Sequence, residues 1–106
     1  MLLIREVMYC KPGKVKPMVE KFLAMSKLNE KAGMGKMRVM TDFCAERYWT
    51  IVAEFEVASL QAFEDMMSGK GPQQLSPAAM KEMEQLMTGY HDLIVKGKRE
   101  IYKIEG

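Results

Sequence analysis

The spacing of apolar and polar residues changes period several times along this chain, and the changes predict a βαββαβ order. Leu2–Cys10 is a β-type run in which Leu3, Val7 and Tyr9 alternate with Ile4, Met8 and Cys10. Both faces are therefore mostly apolar, with Arg5 and Glu6 as the polar exceptions, and a strand of that kind is covered on two sides. In Lys11-Pro12-Gly13-Lys14 the proline cannot continue a ladder and the glycine lets the backbone turn, so a helix follows. Val15, Met18, Val19, Phe22, Leu23 and Met25 form its apolar stripe, while Lys14, Lys16, Glu20, Lys21 and Lys27 fall mainly outside it. Pro17 sits in the first turn, where it is tolerated, and Gly33 and Gly35 close the helix.

Two further β-type runs, Lys36–Cys44 and Arg47–Val57, are joined by Ala45-Glu46, a link that predicts a tight hairpin. In the second run Trp49, Ile51, Ala53, Phe55 and Val57 form a fully apolar face opposed by Tyr48, Thr50, Val52, Glu54 and Glu56. Ser59 is placed to cap a short helix with Leu60 and Phe63 inward, together with Met66 or Met67. The stretch 69–77 is a loop; its Gly-Lys-Gly lacks the spacing and the preceding strand of a phosphate loop, and a lid over a cleft is its functional reading. Ser76-Pro77 opens a last helix whose stripe runs Met80, Met83, Met87, Tyr90 and Ile94 and which Gly97 ends. Arg99–Glu105 alternates as a closing strand.

Joined by right-handed crossovers without crossed connections, these elements predict an α+β fold with a four-stranded antiparallel sheet in order 4-1-3-2, helices on one face. Leu3, Val7, Tyr9, Trp49, Ile51, Phe55 and Val57 are assigned to the helix-covered face. The other then carries Ile4, Met8, Met40, Val52 and Tyr102 together with Glu6, Arg38, Glu54 and Glu100. That mixture is too apolar for a free surface and leaves charges to be paired, so an isologous homodimer with the charges met across the twofold axis is expected.

Bulk properties narrow the function classes. A chain of 106 residues is the size of one domain, 1–106. The net charge is +2, with no block of Lys and Arg interleaved with aromatics, which argues against nucleic acid as a partner. Apolar runs fall far short of the roughly 20 residues that span a bilayer, so no membrane role is expected. The start lacks a basic region and becomes charged too early for a signal peptide, making the expected location cytoplasmic. Cys10 and Cys44 end strands that flank a third one, too far apart to bond, and are expected as free thiols. The 12 methionines have two readings, filler for an irregular core or the wall of a soft, adaptable apolar pocket.

The strand-KPGK-helix opening (Val7–Lys14), the run Ile51–Phe63 and the closing Gly97–Ile104 resemble the dimeric α+β barrel superfamily. This ferredoxin-like group includes NIPSNAP-like proteins, antibiotic-biosynthesis-type monooxygenases, heme-degrading monooxygenases and muconolactone-isomerase-like proteins. The resemblance is nearest to the NIPSNAP-like members and implies a pocket between sheet and helices. Heme-degrading members use an asparagine on the first strand and a tryptophan three residues after the phenylalanine of the helix following the third strand. Here the first strand has no asparagine and the second position holds Met66, so no heme or other cofactor is expected; the histidine of many antibiotic-type members is also replaced by Met66.

The candidate chemistry rests on few residues. His91 is the sole histidine, beside Tyr90 and Asp92, and is the one side chain with an ordinary pKa near neutrality. Its catalytic reading is a general base, and its bland reading a helix-surface residue. Tyr9 is the second catalytic candidate, able to hydrogen-bond a phenol or quinone. Trp49 could stack on a flat ligand, Met66 and Tyr90 line the expected pocket, and Arg5 needs an anion from Glu54, Glu100 or a ligand carboxylate. No carboxylate cluster joins His91, so no metal site is expected. The two functions in view are a cofactor-free monooxygenase or isomerase acting on a small aromatic molecule, and a non-catalytic small-molecule-binding or structural homodimer.

Overall fold

The computed structural model describes residues 1–31, 33, 35–68 and 76–106. Its elements are β1 (Leu2–Cys10), α1 (Val15–Lys31), β2 (Arg38–Thr41), β3 (Thr50–Val57), α2 (Leu60–Ser68), α3 (Pro77–Met87), a 3-10 turn (Tyr90–Asp92) and β4 (Ile94–Lys103). The strands form one antiparallel sheet in order β2-β3-β1-β4, the expected 4-1-3-2 arrangement of a ferredoxin-like α+β fold. Both serine caps are present: the hydroxyl of Ser59 accepts from the Ala62 amide and that of Ser76 from the Ala79 amide. Each satisfies a donor that the first helical turn leaves free.

Pairing fixes which side of each strand meets the helices. Ile4 lies opposite Phe55, Glu6 opposite Ala53, and Met8 opposite Ile51. The core is built from Cys10, Met18, Phe22, Ile51 and Ala53, with Met8, Val39 and Ile94 packed against it. The helix-covered face of β1 is therefore Ile4, Glu6, Met8 and Cys10, and Leu3, Arg5, Val7 and Tyr9 lie on the outer face. This reverses the expected facing of β1. The reason is physical: β1 is apolar on both sides, so its own alternation does not choose between them.

Three further expectations are corrected. The β2–β3 link is the longer segment 43–49, closed where the Asp42 amide donates to the Thr50 carbonyl and the Thr50 amide to the Asp42 carboxylate. Trp49 precedes β3 with φ 61°, a left-handed backbone, and is exposed outside the sheet's apolar face. The last helix stops at Met87, because Gly89 at φ 80° breaks it and the chain turns to pair with β1. Tyr9 pairs with Lys96 and Cys10 with Ile94, so Val95 is an extra residue that rotates Ile94 into the core. Gly97 is thus a strand residue.

On the outer face one row of charges crosses all four strands. Arg38 donates to Glu54 at 2.9 Å, the Arg5 Nε lies 2.8 Å from the Glu54 carboxylate as an ion pair without hydrogen-bond geometry, and the Arg5 Nη1 donates to Glu100 at 3.3 Å. These residues are direct cross-strand partners. The charges expected to be met by a second copy are met within the chain. Most of the expected lid falls on residues 69–75, outside the described residues. Among the described residues no helix is long and apolar enough to cross a membrane.

Candidate functional site

The sheet and helices line a half-open cavity of about 320 Å³. Glu6 and Met8 of β1 form its floor with Phe55 of β3 and Arg99 of β4. Phe22, Met25 and Asn29 come from one stripe of α1, at the spacing that places residues on a single helical face. Met66 and Met67 are supplied by α2, Met87 by α3, Tyr90 by the 3-10 turn, and Lys36 and Met37 by the segment before β2. Half of the 12 methionines therefore meet at one wall: Met8, Met25, Met37, Met66, Met67 and Met87. Thioethers are polarizable and rotate freely, so such a wall adapts its shape to an apolar occupant and makes favourable sulfur contacts with an aromatic one.

The polar groups of the cavity are few. Glu6 and Arg99 are cross-strand partners on the helix-covered face, and the Arg99 Nε donates to the Glu6 carboxylate. The Arg99 guanidinium also lies 5.1 Å from the ring centre of Phe63, which is buried and packs against Phe55. Lys36, Asn29 and the Tyr90 phenol complete the set among the described residues.

Of the residues singled out from the sequence, Met66 and Tyr90 line this cavity and the other four do not. His91 is exposed on the 3-10 turn, its ring 4.0 Å from that of Tyr90. Tyr9 is buried on the opposite side of the sheet, with the Arg47 guanidinium 4.5 Å and the Lys96 ammonium 5.6 Å from its ring centre. Arg5 is on that side too, held by Glu54 and Glu100, and Trp49 is exposed beside the 43–49 link. The reversed facing of β1 accounts for Tyr9 and Arg5. It also hid Glu6, whose signal was its place between Ile4 and Met8 on one strand face. Arg99 follows from Glu6 by register.

Cys10 and Cys44 are both free thiols. Burial pushes the Cys10 thiol up, with the Asp42 carboxylate a smaller contribution. A thiol so placed is core, with little thiolate to offer as a nucleophile. Among the described residues no three metal-ligating side chains converge.

No protein-family model and no curated protein matches the chain. Solved structures do. An uncharacterised NIPSNAP-like domain protein from Burkholderia xenovorans superposes with a TM-score of 0.74 at 10% identity, covering 98% of this chain and 84% of that one. A protein from Agrobacterium tumefaciens gives 0.72 at 14% identity, over 97% and 92% of the two chains. A candidate antibiotic biosynthesis monooxygenase from Deinococcus radiodurans gives 0.67 at 9% identity, over 100% and 94%. The chain has the ferredoxin-like fold of NIPSNAP-like and antibiotic-biosynthesis-monooxygenase-like proteins. At such identities the likeness is one of fold alone.

Proposed function

We propose that this protein binds a small, flat, apolar molecule in the cavity between sheet and helices, and acts on it as a cofactor-free monooxygenase or isomerase. The observation that carries the reading is the convergence of six methionines with Phe22, Phe55 and Tyr90 around about 320 Å³. Such a wall strips water from an aromatic ligand and leaves Glu6, Arg99, Lys36, Asn29 and Tyr90 to orient it. Proton removal from an anthrone or hydroquinone gives an electron-rich anion that dioxygen oxidises directly. The groups able to shift that proton at the cavity are the Glu6 carboxylate and the Tyr90 phenol. His91 acts on the site through its contact with Tyr90, and Tyr9 and Arg5 serve the outer face.

The outer face supports a second part of the proposal, association into a homodimer. Leu3, Val52 and Met40 are only partly covered there, and Tyr102 is 47% exposed. Packing that face on its copy hides apolar area at about 25 cal/mol per Å², in the manner of a dimeric barrel. Binding without chemistry is the alternative, favoured by the engagement of Glu6 with Arg99, which occupies the one carboxylate lining the cavity among the described residues.

Oxygen uptake with a panel of anthrones and hydroquinones tests the enzyme. Uptake that depends on the protein and drops in Tyr90→Phe or Glu6→Gln supports it. Ligand binding without uptake leaves the binding protein.

A further inference from the structure

The cavity's charges point to more than an apolar occupant. Three charged side chains line it among the described residues, Glu6, Lys36 and Arg99, so one positive charge remains after the Glu6–Arg99 pair is formed. Arg99 is unusual in how it is held. Its Nε is taken by Glu6, and its guanidinium lies against the Phe63 ring at 5.1 Å. Two contacts on different parts of the group fix both its position and its tilt. Its terminal nitrogens meet no acceptor among the described residues. The side chain is 43% exposed and Glu6 17%, which places the arginine at the cavity's rim and the carboxylate deeper.

A guanidinium anchored through Nε keeps its terminal fork for a second partner, and that fork matches the two oxygens of a carboxylate. We infer that the cavity takes an aromatic carboxylate, its ring among the methionines and its carboxylate on the terminal nitrogens of Arg99. This rests on the reading of the cavity as a small-molecule site and assigns that site a ligand class. Glu6 does not compete for the ligand's place, because it engages the arginine at the Nε edge. Lys36 adds a second positive charge at the wall and favours an anion over a neutral molecule.

The test compares naphthoate with naphthamide, two probes of like shape that differ in charge, by isothermal titration on the full chain. Naphthoate should bind at least about tenfold more tightly, and added salt should narrow the gap by weakening the acid alone. Arg99→Met, which keeps the apolar bulk, should abolish the discrimination, bringing the two affinities together. Equal binding of the two probes to the wild-type chain overturns the inference and leaves the small-molecule site standing. Discrimination that survives in Arg99→Met also overturns it. Binding of neither probe removes the inference and the site together. The salt titration needs no variant, so the outcome does not hinge on Arg99→Met folding.

Discussion

The sulfur of Met8 stands 2.6 Å from where a Cβ on Gly97 would lie, across directly paired positions of β1 and β4. A non-bonded carbon and sulfur do not sit that close, so the bare backbone of Gly97 is what lets the Met8 thioether lie flat on β4 beside the cavity. In Gly97→Ala the thioether has to swing away, and the Val7 carbonyl at 3.3 Å limits any backbone adjustment. The variant should fold with a loss of about 1 kcal/mol and bind cavity ligands severalfold more weakly. Thermal denaturation paired with ligand titration checks both parts; unchanged affinity would show that Met8 does not shape the cavity.

Lys21 of α1 ties down the end of α3. Its ammonium donates to the Leu86 carbonyl at 2.6 Å and to the Thr88 carbonyl at 3.2 Å. Carbonyls at a helix C-terminus lack intrahelical partners and carry partial negative charge, so a lysine there serves two needs. Lys21→Met keeps the apolar stem and removes the donor. Its urea midpoint should fall by the equivalent of about 1 kcal/mol, and amide exchange in 88–92 should accelerate.

The row Arg38–Glu54–Arg5–Glu100 predicts an asymmetry between charge removals. Glu54 has a side chain only 12% exposed and is ion-paired with two arginines, whereas the Lys103–Glu105 pair is open to solvent at 77% and 78%. Glu54→Ala should cost about 1–3 kcal/mol because it takes one of two counter-charges from part-buried Arg5, while Glu105→Ala should cost under about 0.5 kcal/mol. Chemical denaturation at low salt separates them. Equal effects would mean that the row is solvated despite its burial.

Cys10 supplies an alkaline signature. Its folded thiol is raised by burial first and by Asp42 second. A raised value means that the folded state holds this proton more tightly than the unfolded chain. The associated stability is complete below the unfolded thiol range, about pH 8.5, and is lost as pH rises through the folded value. Cys10→Ala should therefore flatten the fall in stability above about pH 8.5, relative to wild type. In the folded protein a thiol reagent should modify exposed Cys44 quickly and buried Cys10 slowly.

Much of the fold was legible because local signals agreed with one another. β1 began and ended where its apolar run did, Ser59 and Ser76 capped as serines before helices do, and the face Ile51-Ala53-Phe55-Val57 allowed one facing for β3. What failed was decided by partners distant in sequence. β1 has two apolar faces, and only its pairing with β3 turns Glu6 inward. Met87, Tyr90 and Ile94 fit a helical stripe as well as they fit a turn into a strand, and Gly89 broke the tie. Of the residues lining the cavity, Met66 was legible from a stripe of α2, and Tyr90 from an expected helical stripe that the structure replaces with a 3-10 turn. The Glu6–Arg99 pair was not, since it exists only through the β1–β4 register.

The central claim, a small-molecule site walled by methionines, is tested most directly by NMR with isotope-labelled methionine methyl groups. On titration with naphthoate, signals of Met8, Met25, Met37, Met66, Met67 and Met87 should shift together and saturate with one affinity. Those of Met1 at the chain start, Met40 on the outer face and Met80 on the exposed side of α3 should stay in place. Shifts confined to Met40 and Met1, or no shift at any methyl, would contradict the account.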